Sequence, residues 1–208
     1  MTPEGGTGPK DIVRRGYDRI SRLYRADDAS EGRYAPWISL LLERLSPTSA
    51  VLDLGCGCGV PVSRALVAAG HAVTGIDFSP VQIERARELV PGARFQCVDA
   101  SQAEFPAASF DAVVCLYALI HIPMADQPPL LAAVARWLKP GGWLLATTGQ
   151  DAWTGSDPYW LGGDAEMWWS HPDAATYRAW IGQAGLTVEA EEFVPEGDSG
   201  HALFWARR

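Results

Sequence analysis

Three aspartates, each at the end of an apolar run, are the residues through which this sequence could do chemistry. Asp53 lies in Val51-Leu52-Asp53-Leu54, Asp77 follows Ala72 to Ile76, and Asp99 follows Arg94 to Val98. Carboxylates in such places accept hydrogen bonds from hydroxyl and amino groups and repel phosphates. Directly after Asp53 come Gly55, Gly57 and Gly59 at alternate positions, alternating with Cys56 and Cys58. Glycine lacks the Cβ that holds a ligand off the backbone, so this turn lets main-chain groups line a small-molecule site. Two histidines are candidate general bases, a role that contributes about 10²–10⁴-fold to a rate. They are His121, in Leu119-Ile120-His121-Ile122-Pro123, and His171, in Ser170-His171-Pro172. His71, at the start of a strand, and His201, in the terminal hairpin, read as structural.

A nicotinamide dinucleotide site is the rival for the glycine turn. Its fingerprint, Gly-x-Gly-x-x-Gly, serves a pyrophosphate at a helix N-terminus. Here the third glycine comes one residue early, an acid precedes the first, and another acid follows the third strand. The oxidoreductase reading therefore falls behind. A metal is not expected either: Cys56, Cys58, Cys97 and Cys115 lie in or beside predicted buried strands, with no second Cys or His set at zinc spacing. They read as small buried side chains in a reducing compartment.

The elements that must position these residues follow from periodicity. Apolar residues three or four apart predict a helix from Lys10 to Arg25 and another from Arg33 to Leu45. Strands are expected at Ala50 to Leu54, Ala72 to Ile76, Arg94 to Val98, Phe110 to Leu116 and Trp143 to Thr148. Helices fall between them at Val60 to Ala69, Pro80 to Leu89 and Leu130 to Leu138, and Lys139-Pro140-Gly141-Gly142 reads as a turn. This alternation gives an α/β, doubly wound sheet, whose ligands bind beyond the carboxyl ends of the strands. Gln150 to Pro172 is rich in aromatics with little periodicity and reads as an aromatic cap over the crevice. A helix from Asp173 to Ala184 and two strands, Leu186 to Val194 and His201 to Ala206, close the chain as an antiparallel edge. Residues 1–9 read as a flexible tail and 10–208 as a single domain: helices over 10–45, a binding core over 50–148 and the cap over 150–172.

Composition limits the partners. A net charge of −8 in 208 residues argues against nucleic acid, whose binding needs clustered Lys and Arg. No apolar run approaches the roughly 18 residues of a membrane span, and the polar N-terminus lacks an apolar signal segment, so a cytoplasmic protein is expected. The oligomeric state is not legible.

Taken in order, Asp53-x-Gly55-x-Gly57-x-Gly59, Gly75-Ile76-Asp77-Phe78-Ser79, Asp99-Ala100, Phe110-Asp111-Ala112-Val113 and Leu138-Lys139-Pro140-Gly141-Gly142 resemble the class I S-adenosylmethionine-dependent methyltransferases. The resemblance covers Val51 to Thr148. It implies that fold: a Rossmann-like, mixed seven-stranded sheet with an N-terminal helical lid. It also implies S-adenosylmethionine as cofactor and S-adenosylhomocysteine as product. Asp77 would hold the ribose hydroxyls, and Asp99 with the Ala100 amide the adenine. Gly55, Cys56, Gly57 and Asp53 would hold the methionine part. Phe78 and Gln82 would flank the adenosine, Leu116 would face the methionine end, and Tyr17 would close over the site. The acceptor would meet Tyr117 and the cap residues Trp153, Trp160 and Trp168, with His121 or His171 as base. No Asn-Pro-Pro-Tyr-type motif follows the fourth strand, which favours a small-molecule O or N, possibly C, nucleophile of the natural-product type. The alternative is a protein that binds this cofactor without methyl transfer, as a sensor or in a cyclisation.

Overall fold

The computed structural model describes residues 8–162 and 164–208, so the expected tail falls outside it up to residue 7. The N-terminal region forms α1 (Pro9–Tyr24), with proline in its first turn, where the missing N–H costs nothing. A short 3₁₀ turn leads into α2 (Ala35–Arg44). The alternating core then runs β1 (Ala50–Leu54), α3 (Val62–Ala68), β2 (Ala72–Asp77), α4 (Pro80–Leu89), β3 (Arg94–Cys97), β4 (Phe110–Cys115), α5 (Gln127–Trp137) and β5 (Leu138–Gly149). The chain continues through β6 (Trp153–Asp157), β7 (Met167–His171), α6 (Ala174–Gln183), β8 (Thr187–Glu196) and β9 (Ser199–Arg207).

Seven strands form one mixed sheet in the order β3-β2-β1-β4-β5-β9-β8. The first five are parallel, and β9 and β8 add an antiparallel edge. Strand alternation sorts the core into two layers. Leu52, Leu54, Val113 and Leu144 pack with α5 and α6 on one face. Val51, Ala112, Val114 and Leu145 pack with Trp37, Leu41 and Leu66 of α2 and α3 on the other. The order in which strands are added reverses between β1 and β4, and the crevice that opens at this switch point is where the fold places ligands.

Four expectations are corrected. The Lys139–Gly142 turn is the start of β5, which takes it in through a register shift opposite β4. Gly141 absorbs the irregularity at φ +79, and Lys139 pairs with Asp111 at 2.8 Å. The break expected from Pro195 to Gly200 shrinks to Gly197 and Asp198, because Pro195 sits in edge strand β8, where a missing N–H is tolerated. The cap is not irregular: β6 and β7 form an antiparallel hairpin with Trp153 opposite His171 and Asp157 opposite Met167. Its period-two pattern is hidden in the sequence because neighbouring Trp168 and Trp169 make both faces apolar. Finally, Cys97 is exposed rather than buried, since β3 is the sheet's other edge.

Candidate functional site

A first cavity lies beyond the carboxyl ends of β1, β2 and β4, under α1. Gly55 forms its floor at φ +72, and a Cβ there would come within 2.3 Å of the Ala118 Cβ. Asp77 ends β2 beside this floor, one carboxylate oxygen accepting from the Gly57 amide at 3.0 Å and the other from the Ser79 amide at 2.9 Å. Burial pushes its pKa up to about 6 against those two bonds. Gln82 is buried on α4, its Oε1 accepting from the Ser21 hydroxyl at 2.7 Å, and Phe78, Ala100 and Leu116 complete the lining. Asp99 caps a 3₁₀ turn by accepting from the Ser101 amide at 2.9 Å and pairs with Lys10 of α1 at 2.8 Å. Burial acts to raise its pKa, but Lys10 and the Ser101 bonds outweigh that and hold it below the usual carboxylate value.

Asp53 and Cys56 turn away from this cavity. The Asp53 carboxylate is buried, accepts from the Ser63 hydroxyl at 2.6 Å and is raised by burial to about 6. It borders a smaller hollow behind the glycine turn, together with Tyr24, Arg25 and Tyr34. The Cys56 side chain packs among Ile83, Ala86, Val90 and Phe95, so mainly its backbone serves the turn, its amide donating to the Ile76 carbonyl at 3.0 Å. The thiol lies well above its ordinary pKa because it is buried.

A second cavity of about 380 Å³ adjoins the first, and Tyr17, Tyr24, Tyr117 and His121 wall both. His121 is buried and bonded at both ring nitrogens: Nδ1 lies 2.8 Å from the Trp168 carbonyl and Nε2 3.0 Å from the Tyr17 hydroxyl. A carbonyl only accepts, so Nδ1 carries the proton and Nε2 accepts from Tyr17. Burial lowers the His121 pKa to about 4 and raises that of Tyr17 well above its ordinary value. Trp160 and Trp169 form the apolar end of this cavity. Arg33, Glu196 and His201 form its polar end. Tyr117, at φ +58, is anchored by its amide donating to Thr147 Oγ1 at 2.5 Å.

Trp153, Trp168 and His171 line neither cavity. Trp153 is 48% exposed and packs on Trp169 and His171. Trp168 reaches the site through its carbonyl. The His171 ring lies so close to Gly149 that a Cβ there would fall 1.9 Å from Nδ1. Sequence reasoning missed Lys10, Arg25, Arg33, Trp169, Glu196 and His201, which sit in no motif. It also missed buried Arg85, which donates to the Ser21 hydroxyl at 2.6 Å and to the Arg25 carbonyl at 2.7 Å. That network fixes the end of α1 carrying Tyr24 and Arg25.

The amides of the glycine turn are already engaged. Those of Gly55 and Cys56 donate to the Ile76 carbonyl, that of Gly57 to Asp77 and that of Gly59 to the Cys56 carbonyl. With acids at the strand ends, the cavity suits a hydroxylated, unphosphorylated ligand. No metal-binding group of His, Cys, Asp and Glu occurs among the described residues, and no helix among them is long and apolar enough to cross a membrane.

Comparison with known proteins agrees with this architecture. Residues 51–142 match the family model of a methyltransferase domain. The chain is 40% identical over 107 residues to the 2-methyl-6-phytyl-1,4-hydroquinone methyltransferase of Synechocystis, covering 50% of this chain and 33% of that one. It is 35% identical over 158 residues to the ubiquinone biosynthesis O-methyltransferase of Xylella fastidiosa, covering 64% and 63%. The chain thus spans a third to just under two thirds of the length of these relatives. Among solved structures, magnesium protoporphyrin IX methyltransferase from Synechocystis with bound S-adenosylmethionine superposes with a TM-score of 0.74 at 18% identity, over 99% of each chain. The [4+2]-cyclase SpnF superposes at 0.73 with 22% identity, over 98% of this chain and 97% of that one. Residues 51–142 thus match a methyltransferase domain, and the chain as a whole shares the fold of these solved S-adenosylmethionine-type methyltransferase structures.

Proposed function

We propose that this chain transfers a methyl group from S-adenosylmethionine to an oxygen or nitrogen, possibly carbon, of a small and partly planar acceptor. The observation that carries the reading is the pair of cavities with a common wall: one lined by acids and glycines, the other by aromatic rings. In this reading Asp77 accepts from the ribose hydroxyls, and Asp99 with the Ala100 amide faces the adenine, beside Phe78 and Gln82; all five line the first cavity. Lys10 keeps Asp99 ionised. Gly55, Gly57 and Leu116 shape the methionine end. Arg25, which has no carboxylate at ion-pair distance among the described residues, supplies a cation for its carboxylate; Asp53 acts from behind the turn. When bound, the cofactor supplies an electrophilic methyl group and a leaving thioether that needs no proton.

Holding the reactants in line can contribute about 7–11 kcal/mol in favourable cases. Here that task falls to Tyr17, Tyr117 and His121 in the common wall, and to Trp160 and Trp169 over the acceptor. His121 fixes the Tyr17 hydroxyl and carries the cap. The relatives above 30% identity are named as methyltransferases, which supports methyl transfer over cofactor binding alone. The cyclase likeness, at 22% identity, extends to the fold. The net charge of −8 supports a small-molecule partner rather than nucleic acid.

Calorimetry with S-adenosylmethionine, S-adenosylhomocysteine and NAD tests the cofactor: binding of the first two is expected, and binding of NAD alone would overturn the reading. Methyl transfer from a labelled donor to a panel of phenols and amines tests turnover. A tightly bound cofactor with no transfer across the panel would favour the sensor or cyclase alternative.

A further inference from the structure

Resting on the methyl-transfer reading, we infer that His201 is the general base for the acceptor, which presents a phenolic hydroxyl in the second cavity. Three features of the cavity point to it. First, the two histidines that line the cavity differ in what their nitrogens do. Both nitrogens of His121 are engaged, Nδ1 by a carbonyl and Nε2 by a hydroxyl that donates to it. His201 uses only Nδ1, 3.1 Å from the Thr148 carbonyl, which fixes the proton there and leaves the Nε2 lone pair toward the cavity's polar end.

Second, Glu196 Oε2 stands 3.5 Å from that Nε2. Beside a neutral imidazole the carboxylate gains nothing; beside an imidazolium it is a counter-ion, so proton arrival at Nε2 is stabilised as it occurs. The same oxygen accepts from Arg33 at 2.7 Å, and Arg33 also donates to the Tyr117 hydroxyl at 3.3 Å. The groups facing His201 are therefore Glu196, Arg33, Tyr117 and the Thr148 carbonyl, and His121 and His171 lie near enough to feel its charge. Burial and Arg33 hold the ring neutral, the form a base needs; Glu196 and Thr148 work the other way, and the net direction is below the ordinary histidine value. Third, the rest of the cavity suits an aromatic body, with Trp160 and Trp169 in the same lining.

The step is balanced within the pocket. The phenolic O–H bond breaks and its proton joins Nε2. The phenolate oxygen's electron pair then forms the O–CH₃ bond as the donor's C–S bond breaks, and sulfur keeps that pair as a neutral thioether. The imidazolium returns its proton to solvent past Glu196, which is half exposed.

The test uses the full chain saturated with S-adenosylhomocysteine, with 4-nitrophenol as probe, because its phenolate absorbs apart from its phenol. Calorimetry first establishes product binding; without that binding the parent reading and this one fall together. The bound probe is expected as phenolate about one pH unit below its free pKa, a roughly tenfold shift. His201→Gln should abolish the shift while leaving S-adenosylhomocysteine affinity within about twofold, and Glu196→Gln should reduce it. Nitrogen NMR of the wild-type chain should show a proton reaching His201 Nε2 as the probe binds, a readout independent of any variant's folding. A shift retained in His201→Gln would assign it to the field of Arg33 and overturn the inference. So would a shift lost only in His121→Gln, or a product-loaded protein that does not bind the probe.

Discussion

The hydroxyl of Tyr17 donates to Nε2 of His121 at 3.0 Å, while the same imidazole gives its Nδ1 proton to the carbonyl of Trp168 at 2.8 Å. One neutral ring therefore joins α1, the segment after β4, and the cap hairpin. Burial lowers its pKa from 6.5 to about 4. The unfolded chain takes up that proton near 6.5 and the folded chain only near 4, so the unfolded state binds more protons in between. The stability this histidine contributes is complete above 6.5 and is lost as pH falls toward 4, on the order of 3 kcal/mol. Chemical unfolding across this window should show the loss, and His121→Gln should flatten that part of the profile.

Asp77 carries a test of cofactor binding. With its pKa raised to about 6, the carboxylate that accepts hydroxyl bonds is depleted as pH drops through that value. S-adenosylhomocysteine affinity should fall below about pH 6. Asp77→Asn should weaken binding about 10- to 100-fold at neutral pH, the range of about 1.5–3 kcal/mol for hydrogen bonds to a charged group. Calorimetry checks both, and unchanged affinity in the variant would remove Asp77 from the site.

Gly55→Ala tests the floor of the first cavity. Its φ of +72 costs an L-residue roughly 1–2 kcal/mol, and the new methyl would meet the Ala118 Cβ at 2.3 Å. Since Ala118 is a short side chain on fixed backbone, the chain itself must shift. A Tm several degrees lower and loss of measurable product binding are expected; a variant that binds normally would show that the floor moves freely.

Trp160 and Trp153 make a matched pair in the cap. Trp160 contacts Tyr17, Tyr24 and Trp169 and lines the second cavity, whereas Trp153 lies outside it. Trp160→Ala should raise the acceptor KM about tenfold or more while leaving cofactor affinity within a few-fold. Trp153→Ala should change KM little. Equal effects from the two would mean that the hairpin acts through its fold rather than through one ring.

What the sequence disclosed was whatever a single element determines by itself. The five parallel strands were readable because each is a continuous apolar run, and Asp77 stood out as an acid at the end of one. Facing and pairing were not readable. Which of two adjacent tryptophans turns inward depends on how β7 registers against β6, so Trp169 was passed over for Trp168. His201 reads as structural from its place in the terminal hairpin, because its polar partners, Thr148 and Glu196, lie on two other strands, 53 and 5 residues away in the chain. Arg25 and Arg85 belong to no motif; their value comes from a network between α1 and α4 that only the packing reveals.

The cap docks on His121 through the main-chain oxygen of residue 168, an atom every amino acid supplies. Its attachment is therefore insensitive to the side chain at that position. Residues 153–157 and 167–171 form a separate two-stranded sheet, and the rings it carries can be exchanged while the imidazole continues to hold the hairpin in place. Acceptor choice and cofactor retention can thus drift apart under selection, and a library randomised at residues 160 and 169 alone could diversify acceptors while the docking at residue 168 is retained.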